Sequence, residues 1–526
     1  MTRTAKALSV AALLTAAVAG CTDPTVSPVS TVTSANVFED PSSYRAFIAK
    51  VYGGLILTGQ RGPDGDRDIA GIDEGFGEYL RLYWYLQEMP TDEAVIGWND
   101  PGLPTLNTGT WGSTNEMVNA MYYRVFYQVM LANEFLRQTT TAKLDARGHN
   151  DPTLRADVQT YRAEARFLRA LSYWHGIDLF GNIPLVTEND PLGSTPPPQA
   201  TRTQLFSYVV TDLRAALDSL PVAGPGFGPY YARATQNAAH MLLAKLYLNA
   251  EVYTGTARYD SALIEASAVI SGGAVLEPVF LDNFRADNHA STELVFTAAQ
   301  DGGASQTWGG MTFLIHAGCG GGVSAASVGI DFCWGGYRMK QQTYLRFAAG
   351  DGRAAFFHTA GQQVNVDTIG AYNHGILAPK FTNLTSTGGA ASQTTMVDTD
   401  FPIFRLADAY LMYAEAHLRG GGGVATTALG YVNALRQRAY GNNTGDILIG
   451  QMDLPFIIDE RNRELMFEAH RRTDLVRFGQ FSSGATLWAW KGGVQAGTAL
   501  ATGRDLYPLP SNEIIANPNL TQNPGY

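Results

Sequence analysis

The sequence predicts a mostly helical protein with an irregular, loop-rich region and a few short strands. Apolar residues recur at helical spacing from about residue 41 to residue 271, and again between residues 401 and 480. Between these stretches, residues 272–400 are rich in glycine, serine, threonine and asparagine, and the helical spacing fades. We therefore expect a helical scaffold that carries a solvent-facing loop segment, because loops on a rigid scaffold usually carry binding residues.

The composition indicates a folded chain and argues against nucleic acid as a partner. Of the 526 residues, 45% are hydrophobic, which is ample for a large core. The formal net charge is −11, and a net negative field does not favour phosphate backbones.

The first 20 residues are predicted to be a lipoprotein signal peptide. Arg3 and Lys6 precede an apolar run, Ala7–Ala19, that is too short to span a bilayer. The sequence Val-Ala-Gly then precedes Cys21, an arrangement that resembles a lipobox, with Cys21 as the site of lipid attachment. An ordinary cleaved signal with a chance cysteine is the alternative. Residues 21–35 are polar and punctuated by proline, so we expect a flexible tether.

The clearest single helix covers residues 163–180. Phe167, Leu171 and Trp174 fall on or near one stripe, and Gly181 follows where a helix end is expected. Trp174 is therefore assigned to the core.

Helical pairs form the rest of the predicted scaffold. Thr203 is placed to cap the first helix after a triple proline. Residues 237–253 and 259–270 give two helices joined by a tight turn, with small residues at the crossing, and this pair resembles a tetratricopeptide (TPR) hairpin. A similar pair covers residues 404–418 and 424–440.

Residues 459–479 are predicted to be helical and tied by local ion pairs. Two acid-then-base pairs stand at i,i+4 and a third pair at i,i+3, namely Asp459–Arg463, Glu468–Arg472 and Arg471–Asp474. In the loop-rich segment, Glu293–Thr297 is predicted as a short strand and residues 302–330 as loops.

The final 21 residues, 506–526, are predicted to be irregular but docked on the core. Four prolines and four asparagines argue against a helix or a central strand. Five residues supply apolar contacts for docking: Leu509, Ile514, Ile515, Leu520 and Tyr526.

Cys319 and Cys333 bracket a glycine-rich loop. An exported protein enters a compartment where disulfides persist, and closing this loop would stabilise the fold by about 3 kcal/mol in the chain-entropy model. Two free, buried thiols are the alternative, because the sequence alone does not set the geometry.

Seven short motifs carry a resemblance to a known family. They are the lipobox at Cys21, Pro90–Glu93, Asn133–Leu136, Arg162–Ala170, Phe180–Val186, Glu460–Gly479 and Leu509–Tyr526. In this order they resemble the SusD/RagB-like outer-membrane nutrient-binding lipoproteins. The resemblance implies a SusD-like fold with four degenerate TPR-like helical pairs. Residues 36–526 would then form a single domain, with the scaffold mainly at 40–271 and 401–480, a ligand-facing segment at about 272–400 and a docked tail at 481–526.

The resemblance also implies a function and partners. It predicts a lipid-anchored protein on the exterior of the outer membrane that captures oligosaccharides and delivers them to a SusC-like TonB-dependent transporter. The same architecture binding peptides is the alternative.

The family motifs supply no ligand contacts, so the expected site rests on aromatic residues in loops. Glycan capture requires exposed ring faces with amides or charged groups nearby. Six residues in turn-rich or glycine-flanked loops meet this description and are predicted to contact the ligand: Trp98, Asn99, Trp308, Trp334, Tyr337 and Arg338. Trp111 is a weaker candidate, whereas Trp84, Trp488 and Trp490 are assigned structural roles.

No catalytic or metal-binding motif was found, so we predict a protein that is not an enzyme and that needs no cofactor. The chain lacks G-x-S-x-G, H-E-x-x-H and G-x-x-x-x-G-K. Asp64–Asp68 alternates carboxylates, but Ile69 stands where a calcium loop requires glycine, so no metal is predicted. A surface glycoside hydrolase with two distant carboxylates is one alternative. A TPR scaffold that binds proteins is another, favoured if Trp98, Trp308 and Trp334 are buried.

Overall fold

The computed structural model describes residues 37–59, 61–63, 67–191, 193, 195–222, 228 and 230–526. The predicted signal peptide, Cys21 and the tether lie outside these residues, as do Asp64, Gly65 and Asp66 of the acidic loop. Tyr44–Tyr526 form one compact unit. None of the helices formed by the described residues combines the length and apolar character that crossing a bilayer requires.

Helices make up most of the regular structure. The described residues form 17 α-helices: α1 (Ser42–Gly53), α2 (Tyr79–Glu88), α3 (Leu103–Thr108), α4 (Glu116–Gln138), α5 (Thr141–Ala146), α6 (Pro152–Phe180), α7 (Arg202–Leu217), α8 (Gln236–Leu248), α9 (Ala250–Thr254), α10 (Tyr259–Ser271), α11 (Gly310–Ala317), α12 (Gln341–Tyr344), α13 (Leu406–Leu418), α14 (Ala425–Tyr440), α15 (Leu454–Leu465), α16 (Arg471–Arg477) and α17 (Ser511–Ala516).

Short strands join distant parts of the chain. Three antiparallel pairs occur in the described residues: β1 (Ala94–Ile96) with β5 (Tyr337–Met339), β2 (Ile183–Pro184) with β3 (Gln199–Ala200), and β4 (Leu294–Ala298) with β6 (Phe401–Arg405). The first pair brings the loop after β1 close to the loop before β5. The third pair ties the loop-rich segment to the start of α13.

The helices pack in pairs, as the sequence predicts. Helix α4 packs on α6, α6 on α7, α8 on α10, and α13 on α14. Helix α10 also packs on α13, so the early and late helical stretches join directly. The mostly helical fold with few, short strands is therefore confirmed.

Helix α6 begins and ends where local chemistry dictates. The Asp151 carboxylate accepts a hydrogen bond from the Leu154 N–H at 2.8 Å, and Pro152 occupies the first turn, where its missing N–H costs nothing. Gly181 follows Phe180 with a φ of 73°, a conformation that favours glycine. The predicted helix end at residue 180 is confirmed.

The predicted cap of α7 is wrong by two residues. Thr201, not Thr203, precedes the helix, and its hydroxyl accepts a hydrogen bond from the Gln204 N–H at 3.2 Å. The Gln204 side chain accepts in return from the Thr201 N–H at 2.9 Å, which completes a capping box. Strand β3 ends at Ala200, so the helix can begin directly after it.

Tertiary pairing also changes the helix boundaries elsewhere. The predicted helix over 237–253 is divided at Asn249, whose side-chain amide donates to the Lys245 carbonyl at 2.9 Å. The predicted helix over 404–418 begins only at Leu406, because residues 401–405 pair with β4. Within the predicted loops at 302–330, residues 310–317 form α11, all of whose residues are buried.

The predicted helix over residues 459–479 is also wrong. Helix α15 ends at Leu465 and α16 begins at Arg471. Between them, Phe467 and Ala469 have φ values of 64° and 60°, which interrupt the helix and which residues other than glycine seldom adopt. None of the three predicted local ion pairs forms between these described side chains. Their charged groups bond distant partners instead: Asp459 with Arg346, Glu468 with Lys380 and Arg405, Arg471 with Asp92, and Arg472 with Asp178.

The C-terminal tail is docked by polar and apolar contacts. The Tyr507 hydroxyl donates to the Leu86 carbonyl at 2.7 Å, and the Asn523 amide donates to the Phe180 carbonyl at 2.8 Å. Two details differ from the sequence prediction. Residues 511–516 form a helix between two prolines, and this helix leaves Ile515 81% exposed rather than docked.

Candidate functional site

A disulfide fixes the loop that carries Trp334. Cys319 and Cys333 are joined, with their Cα atoms 5.2 Å apart. Beyond Cys333, the Trp334 N–H donates to the His316 carbonyl at 2.8 Å, and the Gly336 N–H donates to the Ala317 carbonyl at 2.9 Å. These bonds run to the last turn of α11, where carbonyls otherwise lack helical partners. The position of Trp334 is therefore set by both a covalent bond and the backbone.

The segment that carries Trp308 is held against the start of α2. The Trp308 carbonyl accepts from the Arg81 guanidinium at 3.1 Å, and the Gly310 N–H donates to the Glu78 carboxylate at 2.7 Å. Glu78 is also the N-cap of α2 and accepts from the Leu80 N–H at 3.0 Å. Burial raises the pKa of Glu78 to about 7.

Trp98 reaches the same region from the end of β1. Its ring lies 6.1 Å from the Phe313 ring of α11, and it approaches the backbone of Gly336 closely. A Cβ on Gly336 would lie 2.8 Å from Trp98 Cζ2, so only glycine fits there. Asn99, the next residue, is exposed and offers a side-chain amide.

The structure brings the three predicted tryptophans together in one aromatic cluster, defined here as Trp98, Trp308, Phe332 and Trp334. The Trp334 ring is central, because its centroid lies 6.4 Å from Trp98, 6.1 Å from Trp308 and 6.4 Å from Phe332. Each tryptophan is half-buried, and Phe332 is 45% exposed. The interplanar angles of 48°, 51° and 41° give a curved surface rather than a flat one.

A buried histidine supports the cluster from below. The His316 ring centroid lies 5.0 Å from the rings of both Phe332 and Trp334. Its Nε2 is 2.9 Å from the Thr395 carbonyl, so this nitrogen carries the proton and donates. Burial lowers the pKa of His316, so the ring is neutral at neutral pH and packs as an aromatic group.

Two predicted ligand residues are not available to a ligand in this structure, and the prediction for them is corrected. Tyr337 is fully buried, with its ring 5.1 Å from Trp84, and Arg338 is 1% exposed. The Arg338 guanidinium donates to the Ile369 carbonyl at 2.5 Å and lies over the Tyr372 ring. The physical reason is that β5 is covered on both faces, so side chains on either side of the strand are buried.

Sequence reasoning missed Phe332 and His316. Phe332 lies inside the glycine-rich loop, next to Cys333, and that proximity was the available signal. His316 carried no signal because its helix was predicted as a loop.

The other tryptophans are structural. Trp84, Trp111, Trp174 and Trp488 are buried. Trp111, the weaker ligand candidate, donates its indole N–H to the Tyr526 hydroxyl at 2.7 Å and thus anchors the tail. Trp490 is half-buried and donates to the Val366 carbonyl at 2.7 Å.

The aromatic cluster can bind flat apolar surfaces without reacting with them. Half-exposed rings, held by a disulfide and by backbone hydrogen bonds, offer stacking faces at low conformational cost. The neighbouring Asn99 amide can both donate and accept hydrogen bonds. Among the described residues, no group of three or more His, Cys, Asp or Glu side chains is arranged to hold a metal ion.

Known proteins match this chain at the level of family and fold. The model of the SusD family matches residues 334–526, and a second model, described as "Starch-binding associating with outer membrane", matches residues 92–248. The starch-binding protein SusD of Bacteroides thetaiotaomicron is 32% identical, over 98% of this chain and 97% of its own length. A SusD-like protein of Formosa agariphila, P2, is 26% identical over 80% of this chain and 83% of its own length.

Solved structures share the fold. A SusD homologue from Bacteroides thetaiotaomicron superposes with a TM-score of 0.72 at 19% identity, covering 94% of this chain and 98% of its own. Surface glycan-binding protein A from the same organism, solved with laminarihexaose, gives a TM-score of 0.68 at 20% identity, covering 92% and 99%. The identity to SusD over nearly the full length of both chains establishes that this protein belongs to the SusD family.

Proposed function

We propose that this protein is a surface glycan-binding protein that captures oligosaccharides on its aromatic cluster. The observation that carries the proposal is the convergence of Trp98, Trp308 and Trp334, half-exposed, within about one ring diameter of each other. Indole faces stack on the apolar faces of sugar rings, and the Asn99 amide is placed to bond a hydroxyl. The relatives named for starch and glycan binding support the same class of ligand.

The protein is proposed to bind its ligand rather than cleave it. The aromatic cluster contains no carboxylate, and its nearest histidine is buried beneath the rings. We further propose that the chain is anchored in the outer membrane through Cys21, faces the exterior, and passes its cargo to a SusC-like TonB-dependent transporter. The lipobox-like sequence and the family support these steps.

Calorimetry on single alanine variants tests the capture site. Wild-type protein is titrated with starch fragments, laminarihexaose and a panel of other oligosaccharides. Trp98→Ala, Trp308→Ala and Trp334→Ala are each expected to weaken binding of whichever sugar the wild type binds, and the triple variant is expected to abolish it. Trp490→Ala, a half-buried tryptophan outside the cluster, is the matched control and should bind normally.

Thermal unfolding of each variant confirms that the fold is retained. Unchanged affinity in the triple variant would contradict the capture site. Binding of peptides but of no oligosaccharide would favour the peptide alternative. Release of shorter sugars from a bound oligosaccharide would favour the hydrolase.

A further inference from the structure

A second cavity, remote in sequence from the aromatic cluster, is lined by arginines. It has a volume of about 560 Å³ and lies between the C-terminal end of α4, α5, the first half of α6 and the end of α7. Arg155, Arg162 and Arg166 line it from α6. Their spacing of seven and four residues places all three on one face of the helix. None of the residues that line the cavity is an Asp or a Glu.

The charge of one of these arginines is not balanced. Arg155 pairs with Asp145, and Arg166 pairs with Asp212 at 2.9 Å. Asp212 is shared, because it also bonds Arg169. Within the described part of the chain, Arg162 pairs with no carboxylate.

Neutral oxygens hold Arg162 in place. Its Nη1 donates to the Leu136 carbonyl at 2.7 Å and to the Thr139 hydroxyl at 2.8 Å. These bonds use one of the two terminal nitrogens of the guanidinium. Burial and the positive charges of Arg166 and Arg169 lower the pKa of Arg162, which shows that its surroundings disfavour the cation. An anion in the cavity would relieve this cost, since a guanidinium binds carboxylate or sulfate in a fork geometry.

The rest of the cavity wall is suited to hydroxyl groups. The Gln159 amide donates to the Ser219 hydroxyl at 3.2 Å, so α6 is tied across the cavity to the end of α7 by neutral polar groups. Thr140 and Thr141 add two more hydroxyls. The volume lies within the range of about 300–1,000 Å³ that is common for small-molecule sites.

We propose that this cavity is a second ligand site, which takes an acidic sugar residue through a carboxylate or sulfate held by Arg162. The neutral polar side chains opposite then bond the ring hydroxyls. This site shares no residue with the aromatic cluster, so it does not depend on the proposed function.

Isothermal calorimetry at fixed ionic strength tests the site with D-glucuronate, glucose 6-sulfate and glucose as probes. Both acidic sugars, or one of them, are expected to bind, whereas glucose is not; the two acidic probes distinguish a carboxylate site from a sulfate site. Arg162→Gln removes the unbalanced charge and is expected to weaken the binding at least tenfold. Arg258→Gln, an exposed arginine at the start of α10, is the matched control and should leave the affinity unchanged.

Further arms separate this proposal from others. Trp334→Ala should bind the acidic sugars as well as wild type does, because the aromatic cluster is not involved. Equal binding of acidic sugars and glucose, or unchanged binding in Arg162→Gln, would overturn the proposal. Binding of a hexaglutamate peptide with no binding of either acidic sugar would also overturn it, in favour of a docking site for an acidic protein segment.

Discussion

The helical scaffold and the aromatic cluster are stabilised in opposite ways. In the scaffold, charged side chains are buried and paired, as at Arg405, whose guanidinium contacts Glu293, Glu464 and Glu468 within 2.7 Å while only 1% of the side chain is exposed. In the cluster, large apolar rings stay half-exposed while backbone bonds and a disulfide hold them. Charge inside and indole outside reverse the usual distribution.

The difference between the regions separates stability from binding. A buried charge requires its partner, so the network around Arg405 fixes one arrangement of β4, β6, α13 and α15. A half-exposed ring loses the hydrophobic stabilisation that full burial would provide, and it keeps a face for a ligand. Mutations in the two regions should therefore affect different measurements.

The largest effect is expected from breaking the buried network. Arg405→Met leaves three buried carboxylates without this partner and should lower the free energy of unfolding by about 3–5 kcal/mol. Urea unfolding measures the change. The matched control is Arg155→Met, which breaks a pair whose side chains are 29% and 58% exposed and should cost less than about 1 kcal/mol. Equal costs in the two variants would contradict the distinction between buried and exposed pairs.

A pH-dependent effect of intermediate size is expected at Glu78, which joins the scaffold to the Trp308 segment. Its pKa is about 7 in the folded protein against 4.5 for the ordinary carboxyl. The folded state therefore binds the proton more tightly, and the contribution of Glu78 to stability is present below pH 4.5 and is lost as the pH rises towards 7. The loss amounts to about 3 kcal/mol at most.

Comparing wild type with Glu78→Gln isolates this group from the other buried ones. The stability of wild type relative to the variant should fall between pH 5 and pH 7 and then level off, as measured by urea unfolding at each pH. A stability difference that does not vary with pH would contradict the raised pKa.

The smallest effect on stability, and the sharpest on binding, is expected at Trp334. This ring neighbours the other three members of the cluster, whereas Trp98 and Trp308 each neighbour Trp334. Trp334→Ala should therefore weaken the affinity for an oligosaccharide about tenfold, or about 1.4 kcal/mol, and Trp98→Ala or Trp308→Ala should weaken it less. Calorimetry ranks the three variants. A larger loss in Trp98→Ala would show that the cluster is not centred on Trp334.

The scaffold could largely be predicted because helices are local. Apolar spacing gave α6, α10 and α14 to within a few residues at the helix ends that were predicted, and the glycine after Phe180 gave the end of α6. The same logic failed over residues 459–479. Acid and base at i,i+4 favour a local pair, but Glu468 and Arg472 both bond distant partners across the core.

The candidate site could be predicted only in part. Trp98, Trp308 and Trp334 stood out because turn-forming residues and glycines surround them, and such loops seldom bury a tryptophan completely. Tyr337 and Arg338 follow the same glycines, yet pairing with β1 buries them. Their burial depends on Ala94–Ile96, more than 200 residues earlier in the chain, and no local pattern contains that information.

The sequence by itself determined the class of fold, the family and the residues able to form an aromatic surface, because periodicity, motifs and residue type are properties of the linear chain. The tertiary structure alone decided which charges pair, which aromatic rings are buried and that three distant tryptophans meet. The physical reason is that a buried charge or a half-exposed ring is stabilised by whatever the fold brings beside it, and those neighbours come from other parts of the chain.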